Sequence, residues 1–203
     1  MSDLQEKLIK WADELEQYKT PDWDSLPDID LYMDQVITWL ERQMSIISSP
    51  HEEKNITPAM INNYVKSRVI PRPSKKKYTR EHLVYMMAIL NLKQVLSLSD
   101  IPRLLSQITS DKSVRDLFDE FISIQDEILR QTSIKLRDAL ESMDENINEE
   151  EAEKRLGILV LRLSLESNAY RIAAKKILSE IIASGAKRND KDKTNGKSKD
   201  KDG

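Results

Sequence analysis

Two long stretches, 113–143 and 149–184, return an apolar residue at every third or fourth position, a period that fits the α-helix and not the strand. In the first, Val114, Leu117, Phe118, Phe121, Ile124, Ile128, Leu136 and Leu140 form the candidate buried face. In the second, apolar residues cover most of the circumference around 158–165, which calls for deep burial or a subunit interface. The same period recurs in shorter segments. Leu4, Leu8, Trp11, Leu15 and Tyr18 mark a helix over 3–19, and Met33, Val36, Ile37, Leu40, Met44 and Ile47 mark one over 31–47 with Asp30 as its candidate cap. Thr79 opens a further helix with Leu83, Met86, Met87 and Leu90 facing inward, and Ser97 or Ser99 opens another with Pro102 in its first turn. The chain therefore reads as all-α with at most a small β wing.

With 203 residues the chain can bury a core without covalent staples. It has no cysteine, which excludes disulfides, thiolate metal sites and a thiol nucleophile. The sequence opens Met1-Ser2-Asp3-Leu4-Gln5-Glu6-Lys7, charged and without an apolar signal core. The longest apolar run, 157–165, is interrupted by Arg162 and Ser164 and falls short of the roughly 20 residues a membrane span needs. A cytoplasmic protein without membrane contact is the expectation. His51 and His82 lack the spacing of a metal pair and read as loop or surface residues. Glu149, Glu150, Glu151 and Glu153 suit the positive end of a helix. Trp11 and Trp39 read as packing residues, and Trp23 has no assigned role. No phosphate loop, nucleophile elbow or catalytic pair occurs, so neither an enzyme nor a cofactor is expected.

Charge distribution says more than the net value of -3. Residues 55–80 contain no Asp or Glu, yet hold Lys66, Arg68, Arg72, Lys75, Lys76, Lys77 and Arg80. The local form is a short helix, a basic loop carrying Pro71 and Pro73, and a second capped helix. Thr57-Pro58 is a strong helix start, a capping hydroxyl followed by proline at the first helical position. Ile61 and Val65 face the core by their spacing. Asn62, Asn63 and Lys66 then point outward, with Tyr64 at the boundary. Asn pairs well with adenine edges, and Lys with phosphate or guanine.

These residues resemble a known pattern. The segment 57–71, from Thr57-Pro58 through Ile61, Tyr64 and the final Ile70-Pro71, looks like the recognition helix of MerR-type winged helix-turn-helix regulators. Lys75-Lys76-Lys77-Tyr78-Thr79-Arg80-Glu81-His82-Leu83 is similar to their wing and the helix start after it, and Leu96-Ser97-Leu98-Ser99-Asp100-Ile101 to their Ser-Leu-x-x-Ile element. The order of the whole chain also resembles an uncharacterised family, known mainly from Firmicutes and described as a domain of unknown function with a MerR-like core. Two departures stand out. Asn62-Asn63 replaces the usual Arg-Tyr pair, and Arg68 replaces the usual glycine before Leu/Ile-Pro.

The resemblance implies a MerR-like winged helix-turn-helix followed by long C-terminal helices. It implies a double-stranded DNA site of Thr57, Asn62, Asn63, Tyr64, Lys66, Arg68, Arg72, Lys75, Lys76, Lys77, Tyr78 and Arg80, with Asn62, Asn63 and Lys66 in the major groove, Tyr64 and Arg68 touching the backbone or packing under it, and Arg72, Lys75, Lys76 and Lys77 as a wing on phosphates. It also implies a homodimer reading two half-sites, with 113–143 as a dimerisation helix. The expected organisation is an N-terminal helix and linker (1–30), the DNA-binding domain (31–110), a helical dimerisation or effector region (111–185) and a disordered charged tail (186–203). A small-molecule effector between the C-terminal helices stays open. So does a second class of function, a helical protein–protein interaction module whose MerR-like core no longer binds DNA.

Overall fold

The computed structural model describes residues 3–47, 56–108, 112–143 and 148–196. They form seven helices and one two-stranded sheet: α1 (Asp3–Gln17), β1 (Leu31–Tyr32), α2 (Met33–Gln43), α3 (Pro58–Lys66), β2 (Lys77–Tyr78), α4 (Arg80–Leu92), α5 (Ile101–Ile108), α6 (Val114–Glu141) and α7 (Glu149–Gly196). The all-α expectation with a minimal β element holds. The chain divides into two compact units, Met1–Leu159 and Val160–Gly203. None of the helices is long and apolar enough to cross a membrane among the described residues.

The first unit is built around α4. Its buried residues are His82, Leu83, Val84, Met86, Met87, Ala88, Ile89 and Leu90, twice the four expected to face inward. The helix is enclosed because α2, β2 and α6 all pack on it. Each fully buried Leu, Ile or Met there contributes about 1.5–3 kcal/mol of hydrophobic stabilisation. His82 is one of the enclosed residues at 7% exposure, which corrects its reading as a surface histidine. The Thr79 backbone N–H donates to His82 Nδ1 at 3.1 Å, closing the first turn of α4. Burial pushes the His82 pKa down, because the imidazolium would forgo its hydration there.

Along the other side of the unit, α1 lies on α6. Ala12 and Ser133 are both fully buried, and their small size lets the backbones approach. Ser133 Oγ donates to the Ala12 carbonyl at 2.7 Å, and Gln5 Nε2 donates to the Leu140 carbonyl at 2.6 Å. Arg137 of α6 clasps Asp13 at 2.6 Å and also Glu16 of α1. The N-terminal helix and the 113–143 helix, placed in different regions by the sequence reading, thus share one core. Trp11 is not part of it: at 43% exposure it yields the buried face to Ala12 and Leu15.

Three further expectations change. Leu31 and Tyr32 do not open a helix capped by Asp30. They pair antiparallel with Tyr78 and Lys77, and α2 begins at Met33 with the Tyr32 N–H donating to Gln35 Oε1 at 2.9 Å. On α6, Leu117, Phe118, Leu136 and Leu140 are buried, but Ile124 and Ile128 are exposed and line an apolar cavity of about 450 Å³ between α4, α5 and α6. On α7, Ile158, Val160, Leu161, Leu163 and Leu165 are exposed, so the expected deep burial does not occur within one chain. The helix also continues to Gly196, through part of the expected disordered tail. His51, the connector 48–55 and the tail beyond 196 lie outside the described residues.

Candidate nucleic-acid interface

The basic window folds as a short helix, a tight turn and a hairpin closed onto the sheet. Thr57 caps α3: its Oγ1 accepts the Met60 N–H at 3.2 Å, and Pro58 occupies the first helical position. The helix buries Ile61 and Tyr64 and leaves Val65 half-buried. Asn62, Asn63 and Lys66 consequently share the exposed side, as their spacing predicts.

The helix ends in a Schellman motif. The Val69 N–H donates to the Tyr64 carbonyl at 2.9 Å, and the Arg68 N–H donates to the Val65 carbonyl at 3.1 Å. This geometry puts Arg68 in the left-handed region at φ 57°. It is the position where the resembled pattern has glycine, so the departure noted in the sequence coincides with backbone strain. An L side chain in that region costs roughly 1–2 kcal/mol. Val69 and Ile70 then turn inward and are buried, anchoring the start of the loop.

After Pro71, Arg72 and Pro73, the chain reverses at Lys75-Lys76. Ser74 and Lys77 bridge antiparallel, and the Lys77 N–H donates to the Ser74 carbonyl at 2.8 Å. Lys75 and Lys76 have φ of 49° and 63°. Positive φ at both central residues is the mark of a type I′ hairpin, a turn that favours Asn-Gly. Both lysines are exposed at its tip.

The remaining site residues fall into three groups. Lys66, Arg68, Arg72, Lys75 and Lys76 are exposed, and none forms an ion pair among the described residues. Lys77 is half-buried, with its Nζ 5.3 Å from the centre of the Tyr32 ring. Tyr64, Tyr78 and Arg80 are turned to the protein itself. Tyr64 and Tyr78 are each 3% exposed, and burial raises the pKa of both phenols. Tyr78 meets His82 edge to face at 5.5 Å between ring centres. Tyr64 thus packs beneath the exposed side of its helix, the second of its two expected roles, while the buried Tyr78 ring is turned away from the expected contact surface, which corrects its place there. Tyr64 faces inward because it follows Ile61 by three residues, nearly one turn.

Arg80 is likewise committed elsewhere. Its Nη2 donates to the Leu26 carbonyl at 3.1 Å and its Nε to the Pro27 carbonyl at 3.4 Å, while its guanidinium lies 5.6 Å from the Trp23 ring centre. Trp23, unassigned from sequence, also packs edge to face on Phe118 at 6.5 Å. Together they tie the loop before β1 to α4 and α6. No sequence signal marked that link, since Arg80 read as one more cation of the basic run. Among the described residues no group of three or more His, Asp or Glu is placed to hold a metal ion.

No curated protein and no solved structure matches the chain. Residues 21–126, which span the loop with Trp23, the whole basic hairpin and the first half of α6, match the family described as Domain of unknown function (DUF1836), and the chain belongs to that family.

Proposed function

We propose that this protein is a DNA-binding transcriptional regulator of MerR-like type, gripping double-stranded DNA as a homodimer. One observation carries the reading. Five cations, Lys66, Arg68, Arg72, Lys75 and Lys76, stand exposed and without an acidic partner among the described residues, and three of them occupy left-handed positions that suit glycine better. Strain held at a polar surface points to use of that surface rather than to packing. In this reading Asn62, Asn63 and Lys66 on α3 face the major groove, and the Lys75-Lys76 turn contacts phosphates beside it. Thr57 caps the helix that presents them, and Lys77 steadies the hairpin on Tyr32.

The test is fluorescence anisotropy with duplexes selected from genomic fragments, run as a salt series. Neutralising five phosphates would give a slope of log K against log salt of about -4.5 per protomer. The Lys75/Lys76/Lys77→Ala variant should bind more weakly with a shallower slope. Equal affinity and equal slope in both proteins would end the proposal. The rival reading, a protein–protein interaction module, is favoured by the exposed apolar residues of α7. A partner protein retained by the Ala variant and by the wild type alike, with no DNA enriched by either, would select it.

A further inference from the structure

The apolar cavity of about 450 Å³ between α4, α5 and α6 plays no part in the basic surface. Its size falls within the range of small-molecule sites. Val84, Ala88, Leu105, Leu117 and Phe118 are buried in its wall, with Phe121 stacked on Phe118 at 6.4 Å between ring centres. Ile124 and Ile128 are exposed and form its mouth. The polar side chains around it are engaged with the protein itself. Asn91 Nδ2 donates to the Met87 carbonyl at 3.0 Å, Gln125 Nε2 donates to Thr20 Oγ1 at 2.8 Å, and Glu120 pairs with Lys112 at 2.5 Å. The interior therefore suits a hydrocarbon. A second cavity, of about 470 Å³, adjoins the first, because Tyr85 and Leu105 line both. Its wall carries Arg68 and Arg72, which have no acidic partner among the described residues. The Tyr85 hydroxyl has no hydrogen-bond partner among the described residues, and burial raises its pKa, so it stays a donor.

We infer that the two adjoining cavities bind one single-chain fatty carboxylate, its hydrocarbon tail between α4, α5 and α6 and its head toward Arg68 and Arg72. Charge complementarity chooses this occupant. A neutral hydrocarbon fills the first cavity and leaves both arginines unused. A cationic amphiphile brings its head to two like charges. A carboxylate meets the guanidinium fork in the geometry that gives paired, charge-assisted hydrogen bonds. Tyr85, on the shared wall, supplies a neutral donor where the tail gives way to the head. The site shares Arg68 and Arg72 with the proposed interface, yet it stands on the two cavities and not on DNA binding.

Isothermal titration calorimetry of the full chain, with no DNA present and ligand below its micelle concentration, is the test. Affinity should rise about fourfold for each methylene added from hexanoate through octanoate to decanoate, as the tail leaves water. Ile124 and Ile172 provide a matched pair, the same residue at 54% and 57% exposure, but only Ile124 lines the cavity. Ile124→Asp puts a charge at the mouth and should abolish decanoate binding, whereas Ile172→Asp should leave it intact. Circular dichroism checks that both variants keep equal helix. Arg68→Gln/Arg72→Gln should weaken decanoate roughly tenfold or more and leave decanol unchanged, since only the head loses its partners. No decanoate binding, an affinity flat along the series, or equal effects of Ile124→Asp and Ile172→Asp overturns the site. Equal affinity for decanoate and decanol overturns the carboxylate head. A wild-type dimer that Ile124→Asp dissociates, with no decanoate bound by either protein, also overturns the site and gives the groove to a second copy. A protein that binds decanoate but no duplex removes only the regulator reading, and a duplex binder that ignores decanoate removes only this site.

Discussion

Replacing Lys75-Lys76 with Asn-Gly should make the protein more stable and a poorer DNA binder at once. The turn holds φ of 49° and 63° at these residues, where an L side chain costs roughly 1–2 kcal/mol. Glycine at position 76 removes most of that cost, but returns about 0.5–1 kcal/mol as added freedom of the unfolded chain. Asparagine at position 75 relieves a smaller part, because its short polar side chain tolerates the left-handed region. The net gain is about 1 kcal/mol. For a chain of this size that raises the thermal midpoint by about 2–4 °C, measured by calorimetry or circular dichroism. Over the same change, two cations leave the proposed interface. The slope of log K against log salt should become shallower by about 2 per protomer. The outcomes separate the two halves of the argument. A less stable variant would show that the turn is not strained as its backbone indicates. A more stable variant with an unchanged salt slope would show that Lys75 and Lys76 do not meet phosphate.

Further predictions follow the same logic. Arg68→Gly at the end of α3 should stabilise the fold by about 1 kcal/mol in a denaturant titration, since glycine is the natural residue of a Schellman motif, and should still weaken DNA binding. Gly157→Ala should add about 0.5–1 kcal/mol, because Gly157 lies inside α7 and a Cβ there meets nothing within 4 Å; no gain in thermal midpoint would contradict this. Burial holds the folded His82 pKa below the ordinary value of about 6.5, so the unfolded chain takes up the proton first on acidification. The contribution is complete above that value and is lost as pH falls toward the folded pKa. His82→Gln, which keeps an acceptor for the Thr79 N–H, should flatten the thermal midpoint across that window, and an unchanged slope would count against it.

What could be read in the sequence, and what could not, follows from the range of each interaction. The helices were legible because periodicity is local: Val36, Leu40, Leu117 and Leu136 announce their faces within a few turns. The exposed side of α3 was legible for the same reason, as the spacing of Ile61 and Val65 turns Asn62, Asn63 and Lys66 outward, although the helix buries Tyr64 more fully than Val65. Arg80 was misread because its partners, the Leu26 and Pro27 carbonyls, lie more than 50 residues away. His82 was misread because its burial depends on which elements enclose α4, and no local pattern carries that. Ile124 and Ile128 show the converse, since their helical period is right but the neighbouring elements leave a cavity beside them.

The strain at 68, 75 and 76 is intermediate between these cases. The sequence held its trace, a missing glycine at Arg68 and a Lys-Lys pair in a proline-bounded turn, but only the backbone angles turned that trace into an energy. Three basic residues in left-handed positions within nine residues lower stability at each site, and each substitution by glycine is a single step that would relieve it. A purely structural hairpin gains nothing from lysine there. A surface that must hold positive charge at the tip of a rigid turn does, because the type I′ geometry fixes the direction of both side chains. The measurement that decides between them is affinity against stability across Arg68→Gly, Lys75→Asn and Lys76→Gly. If stability rises and affinity falls in each, charge is what the turn conserves its strain for. If stability rises and affinity for DNA stays level in all three, the basic hairpin serves some purpose other than a duplex.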